Sequence, residues 1–127
     1  VRQPDAPCAL LDIHYRPNQN KPHMRDRLAL KRTGEWLATQ PKATVVIRSY
    51  TDAQGSAAKN LTLSHARAVW IREALATHGA QRKQMRAQAY GEYAPRMDVA
   101  PSNGANRRVV VEALDVVCPP SLQENAQ

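Results

Sequence analysis

The tightest constraint on the fold is one block of the chain, residues 44–79. Thr44-Val45-Val46-Ile47 is an apolar, β-branched run that reads as a buried strand. Thr51-Asp52-Ala53-Gln54-Gly55-Ser56 has turn chemistry. A long helical pattern follows over 56–78, with Leu63, Ala66, Trp70 and Ala74 on a wide apolar face beside Val69, Ile71 and Leu75. Trp70 is read as core. Gly79 stands where such a helix stops. A buried strand handed directly to a long amphipathic helix is one step of the element order from which the fold class is read.

The rest of the chain supplies further elements of the same kinds. Residues 8–15 read as a first strand, and 16–22 as a loop marked by Pro17, Asn18, Asn20 and Pro22. Residues 23–39 turn helical, with Met24, Leu28, Leu30, Trp36 and Leu37 as the apolar side and Pro41 as the stop. The second strand extends over 43–50, and its unbroken apolar character predicts burial on both faces or a central position in the sheet. Residues 84–90 form a weaker third strand. A loop rich in Gly, Pro, Asn and Asp spans 91–104. Residues 107–117 carry the strongest strand signal, and Pro119-Pro120 is read as its end. The order βαβαββ predicts an α+β domain, a two-layer α/β sandwich with both helices on one face of a mixed four-stranded sheet. We expect a tail at 1–7, the domain at 8–118 and a second tail at 119–127.

Charge and composition narrow the function. The net charge is +7 over 127 residues, which suits an anionic partner as readily as it suits plain solubility. Nucleic acid is set aside, because recognised motifs and interleaved stacking aromatics are missing. No apolar run is long enough to span a membrane. No signal peptide precedes Cys8, and Val1 in place of an initiator Met points to a processed chain or a fragment. The two cysteines, Cys8 and Cys118, lie near opposite ends. They are either two free thiols or one disulfide tying the termini, and the disulfide is the expectation carried forward. The four histidines have no metal-ligand spacing, and no motif of nucleophilic, phosphate-binding or zinc-dependent catalysis is present. Neither a metal, a cofactor nor an enzymatic activity is expected.

One pair of side chains stands apart. Residues 60, 63, 64, 67 and 71 share a helix face, which puts Asn60 and Arg67 about two turns apart on one side. The turn carrying Asp52 can fold back beside them. A carboxylate and a guanidinium a few ångströms apart complement the head of a zwitterionic amino acid: Asp52 takes the ammonium and Arg67 grips the carboxylate. The plainer alternative is an Asx turn at Asp52 and a surface salt bridge at Arg67.

The motifs around that pair resemble the OmpA-like C-terminal domain, the peptidoglycan-binding module of Gram-negative envelope proteins and flagellar stators. They are Ser49-Tyr50-Thr51-Asp52, Gly55, Asn60, Leu63-Ser64-His65-Ala66-Arg67-Ala68, Gly91-Glu92-Tyr93-Ala94-Pro95 and Asn106-Arg107-Arg108-Val109, in the family's order. The resemblance implies that Asp52 and Arg67 bind the diaminopimelate of the peptidoglycan stem peptide, that Thr51 and Asn60 line the pocket, and that Arg107 reaches it from the last strand. It implies a non-enzymatic anchor for a larger envelope protein, located in the periplasm. That protein would be tethered to the outer or inner membrane through segments absent from this chain, with envelope proteins as partners. The alternative is the same scaffold used for protein–protein assembly in a secretion or motor complex. Two departures adjoin the pair. Ser49 replaces the family's Gly. The family's Phe followed by Asp or Asn is Tyr15-Arg16-Pro17 here, where Pro17 offers no N–H and Arg16 either adds a carboxylate grip or blocks the pocket.

Overall fold

The computed structural model describes residues 8–118; the tails expected at 1–7 and 119–127 lie outside the described residues. Four strands, β1 (Cys8–His14), β2 (Thr44–Tyr50), β3 (Met85–Gly91) and β4 (Arg108–Leu114), form one sheet in the order β1-β4-β2-β3. β4 is antiparallel to both its neighbours, and β2 and β3 are parallel. Two helices, α1 (Arg27–Ala38) and α2 (Ala57–Thr77), pack together against one face of this mixed sheet. No helix among the described residues is long and apolar enough to cross a membrane.

The central place expected of β2 follows from its composition. Val45 and Ile47 are fully buried beneath the helices, and Val46 on the opposite side is nearly so. In β4, Val109, Val111 and Ala113 point into the core, while Arg108, Val110, Glu112 and Leu114 alternate onto the open face. On the open face Arg48 and Glu112 form an ion pair between β2 and β4. α2 buries Ser64, Arg67, Ala68, Ile71 and Leu75, a stripe of helical period. Its first turn is closed by Ser56, whose hydroxyl accepts the Lys59 N–H at 3.3 Å.

Three local readings change. The apolar side expected for the first helix is not the buried one. A 3-10 turn (Met24–Asp26) precedes α1, and the core-facing stripe is Leu30, Thr33, Gly34 and Leu37. Leu28 lies two positions before Leu30, roughly 200° around the helix, and with Met24 it stays exposed. Trp70 is half-buried and packs on the edge of the core, in the groove between α1 and α2. β4 stops at Leu114, short of the prolines, because Asp115 takes a left-handed φ of 59°, a conformation that Asp tolerates better than most side chains. The turn returns the chain to β1, and Cys118 is disulfide-bonded to Cys8 with their Cα atoms 5.1 Å apart.

The helices meet at Gly34. A methyl group there would stand 2.7 Å from His78 Cβ and 2.8 Å from the Leu75 carbonyl oxygen. Gly34→Ala should therefore destabilise the domain by about 1–3 kcal/mol through overpacking, despite the roughly 1 kcal/mol by which Ala favours a helix. Urea denaturation measures it, and an unchanged or higher midpoint would mean that the helices separate at no cost.

Candidate functional site

The site forms where β2 runs out toward α2. The Thr51 N–H donates to the Gly91 carbonyl at 2.8 Å, which ties the end of β2 to the end of β3. The next residue turns the chain. Asp52 Oδ1 accepts the Gln54 N–H at 3.2 Å, so the Asx turn is present. Asn60, in the first turns of α2, closes that turn from below. Its side-chain amide donates to the carbonyls of Asp52 and Gln54 at 3.2 and 2.9 Å, and to Glu92 Oε1 at 3.1 Å.

The second carboxylate oxygen of Asp52 faces β4. Arg107 Nη1 donates to Asp52 Oδ2 at 2.8 Å. Arg107 is held in turn by Tyr15, since its Nε donates to the Tyr15 carbonyl at 2.7 Å and the Tyr15 N–H donates back to the Arg107 carbonyl at 2.9 Å. Its guanidinium lies flat on Gly104, where any Cβ would sit only 2.6–2.9 Å from it. Asn106 organises the preceding loop: its side chain accepts the Arg96 N–H and donates to the Ala100 and Pro101 carbonyls. The sequence signal for this role was its place at the head of Asn106-Arg107-Arg108-Val109.

Arg67 is fully buried, not a surface residue. Its Nε donates to the Gln19 carbonyl at 2.8 Å, while Nη1 and Nη2 make longer bonds to the Tyr50 and Arg16 carbonyls at 3.5 and 3.4 Å. The guanidinium carbon stands 4.6 Å from the Tyr15 ring centroid, a cation–π contact. No carboxylate among the described residues pairs with it directly. Burial pulls its pKa down to about 10; Tyr15 opposes this, the Arg107 cation adds to it, and Asp52 opposes it. Arg67 is thus a buried cation that stays charged at neutral pH. Asp52 has Arg107 as its direct partner, and Arg67 has backbone carbonyls.

All five residues singled out in the sequence, Thr51, Asp52, Asn60, Arg67 and Arg107, line one cavity of about 200 Å³, with Pro17 and Asn18 on its far wall and Leu63 at its side. The Thr51 hydroxyl is buried there without a hydrogen-bond partner among the described residues. Ser49 lies inside the core as part of β2, and its hydroxyl likewise has no partner among the described residues. Arg16 does not block the cavity; its side chain lines a separate cleft on the other side of the 15–19 loop. Chemically, the cavity offers one carboxylate, two guanidiniums and an uncommitted hydroxyl.

Comparison with known proteins agrees with this architecture. A family model described as the OmpA family matches residues 17–109. The chain is 40% identical over 78 residues to a peptidoglycan-associated lipoprotein of Legionella pneumophila, covering 59% of this chain and 44% of that protein. It is 29% identical over 105 residues to outer membrane porin F of Pseudomonas aeruginosa, covering 80% of this chain and 30% of the porin. It therefore spans less than half the length of these curated relatives. Among solved structures, the peptidoglycan-associated lipoprotein of Burkholderia pseudomallei shares the fold with a TM-score of 0.75 at 24% identity, over 81% of this chain and 89% of that one. The C-terminal domain of Helicobacter pylori MotB does so with a TM-score of 0.67 at 15% identity, over 93% and 90%. The chain belongs to the OmpA family.

Proposed function

We propose that this domain binds peptidoglycan non-covalently, by holding the diaminopimelate of the stem peptide in the cavity beside Asp52, and so anchors a larger envelope protein to the cell wall. The observation that carries the reading is the cavity's composition. One carboxylate, two guanidiniums and a Thr51 hydroxyl without a partner among the described residues converge on a space of about 200 Å³. Within a peptide, diaminopimelate presents a free ammonium and a free carboxylate at the end of a short apolar stem. Asp52 retains acceptor capacity beyond its bonds to Gln54 and Arg107 and takes the ammonium. The carboxylate goes to the guanidiniums of Arg107 and Arg67. The two long Arg67 bonds to Tyr50 and Arg16 are weak ones and are readily exchanged for charge-assisted bonds to a carboxylate. Thr51 and Asn60 line the pocket and keep the turn in place.

The relatives support the wall as the polymer, since several are named peptidoglycan-associated lipoproteins. The Cys8–Cys118 disulfide suits an oxidising compartment and hence the periplasm. The domain acts by binding, without a catalytic step. A single polar head group buries little area, so one site binds modestly, and attachment to a polymer with many such groups gains from effective concentration.

The test is binding to purified sacculi and to soluble stem peptides by pelleting and calorimetry. Wild type should bind the diaminopimelate peptide, and Asp52→Ala should weaken that by about 30-fold or more, as expected for loss of a charge-assisted partner. A peptide with lysine in place of diaminopimelate offers the ammonium alone and should bind at least about tenfold more weakly. Undiminished binding by Asp52→Ala, or equal binding of the two peptides, would overturn the assignment.

A further inference from the structure

A second cleft, of about 530 Å³, adjoins the diaminopimelate cavity and is lined by Arg16, Lys21, Arg25, His14, His23 and Arg107, with Tyr15 at its base. Resting on the reading of the cavity above, we infer that this cleft is a second anion subsite, which takes a further carboxylate of the same stem peptide as the peptide leaves the diaminopimelate pocket.

Three observations converge on it. The first is charge. Arg107 is paired with Asp52, and His14 lies 3.5 Å from Asp12. Arg16, Lys21 and Arg25 have no carboxylate partner among the described residues. Asp26, the nearby acid, is outside the lining; burial pushes its carboxyl up, while Arg25, His23 and His14 pull it down. Three cations thus face one concavity whose lining holds no carboxylate among the described residues, with Asp26 acting on Arg25 from outside it.

The second is a buried polar atom without a partner among the described residues. Tyr15 is 5% exposed, lines the cleft, and its hydroxyl is buried with no hydrogen-bond partner among the described residues. Burial raises its pKa well above the ordinary 10, Arg67 opposing the rise and Asp26 adding to it, so the group is a phenol whose donor is unused among the described residues.

The third is continuity. Arg107 lines both spaces. The divider is the 15–19 loop: Pro17 and Asn18 face the cavity, while Arg16 and Gln19 face the cleft. The loop is fixed by the Gln19 N–H donating to the Arg16 carbonyl at 3.3 Å, by the left-handed φ of 62° at Asn18, and by Arg67 binding the Arg16 and Gln19 carbonyls from beneath. With those carbonyls turned inward, Arg16 lines the cleft on the other side of the loop. A peptide that leaves the cavity over the 15–19 loop enters a cationic cleft, and complementarity selects a carboxylate there.

The test uses a triple variant, Arg16→Gln, Lys21→Gln and Arg25→Gln, all exposed positions. Four probes are titrated: free diaminopimelate, the stem peptide with its other carboxylates free, the same peptide with them amidated, and phosphatidylglycerol vesicles. Wild type should bind the free-acid peptide about tenfold more tightly than the amidated one, a typical gain for charge-assisted contacts at a partly exposed site. The triple variant should bind both peptides alike, at the amidated level, with diaminopimelate affinity unchanged. Three outcomes overturn the proposal: no discrimination between the peptides by wild type, an equal loss of free diaminopimelate in the variant, or a loss confined to the lipid vesicles, which would make the cleft a phosphate-headgroup site. Failure of wild type to bind diaminopimelate at all would overturn the reading of the cavity, and this proposal with it. The Asp52→Ala comparison tells that case apart.

Discussion

Arg67→Ala should destabilise the domain by about 4 kcal/mol, the sum of a large cavity and of carbonyls left without donors. The side chain is among the largest that are fully buried, and its guanidinium is bonded to the carbonyls of Gln19, Tyr50 and Arg16. Those bonds hold the 15–19 loop down on α2 and the end of β2. Removing them leaves three inward-turned carbonyls facing a void, and the Tyr15 ring loses the cation above it. Arg67→Met separates the contributions. It fills most of the volume without donating, so it should recover about half of the loss. Urea denaturation of the three proteins is the measurement. A cost below about 1 kcal/mol for Arg67→Ala would mean that the loop is not held by this residue. The consequence for function is that weak wall binding by Arg67→Ala confounds ligand contact with a collapsed loop. Asp52→Ala, at the start of a turn and not beneath the loop, is the cleaner probe of recognition.

The contrast between these residues explains which parts of the molecule were legible in the sequence. Strand alternation in β4 and the helical stripe of α2 are local patterns enforced by a single buried face, so fold class and strand order along the chain followed directly. The Asx turn at Asp52 is likewise local. The partner of Asp52 is not, because it depends on the order β1-β4-β2. That order sets Tyr50 opposite Arg108 in an antiparallel register. Asp52, two residues past Tyr50, then meets Arg107, one residue before Arg108. Helix spacing on α2 pointed to Arg67 on the right face, but nothing in a periodicity foretells that the carbonyls of a loop 48 residues away will cap its guanidinium. The start of α1 was misread for a related reason. Met24 and Leu28 are apolar, yet the stripe that meets the sheet begins at Leu30, and only the packed helix pair fixes which side faces in.

Cys8→Ser/Cys118→Ser should lower stability by about 4–5 kcal/mol in the chain-entropy account, since the bond closes a loop with a sequence separation of 110. For a domain of this size that corresponds to a fall in Tm of roughly 20 °C. The location predicts how the loss is distributed. β1 is an edge strand, held laterally by β4 alone, and its register on β4 is interrupted between Ala9 and Leu11, next to the cystine. The left-handed turn at Asp115 brings the chain after β4 back to the first residue of β1, so the bond staples the outer strand at the end where its pairing is irregular. In the double variant, amide exchange should accelerate first at Ala9, Leu10 and Leu11, and the β2 amides at the sheet centre should follow only global unfolding. Because the cavity beside Asp52 is built at the opposite end of the sheet, from the end of β2 and the start of β4, the folded variant should bind the proposed stem peptide as wild type does. A uniform increase in exchange across β1 and β2 alike would show that the disulfide acts only through the unfolded chain. Loss of peptide affinity in the folded variant would show that tension at the staple is transmitted along β1 to Tyr15 and the loop beyond it.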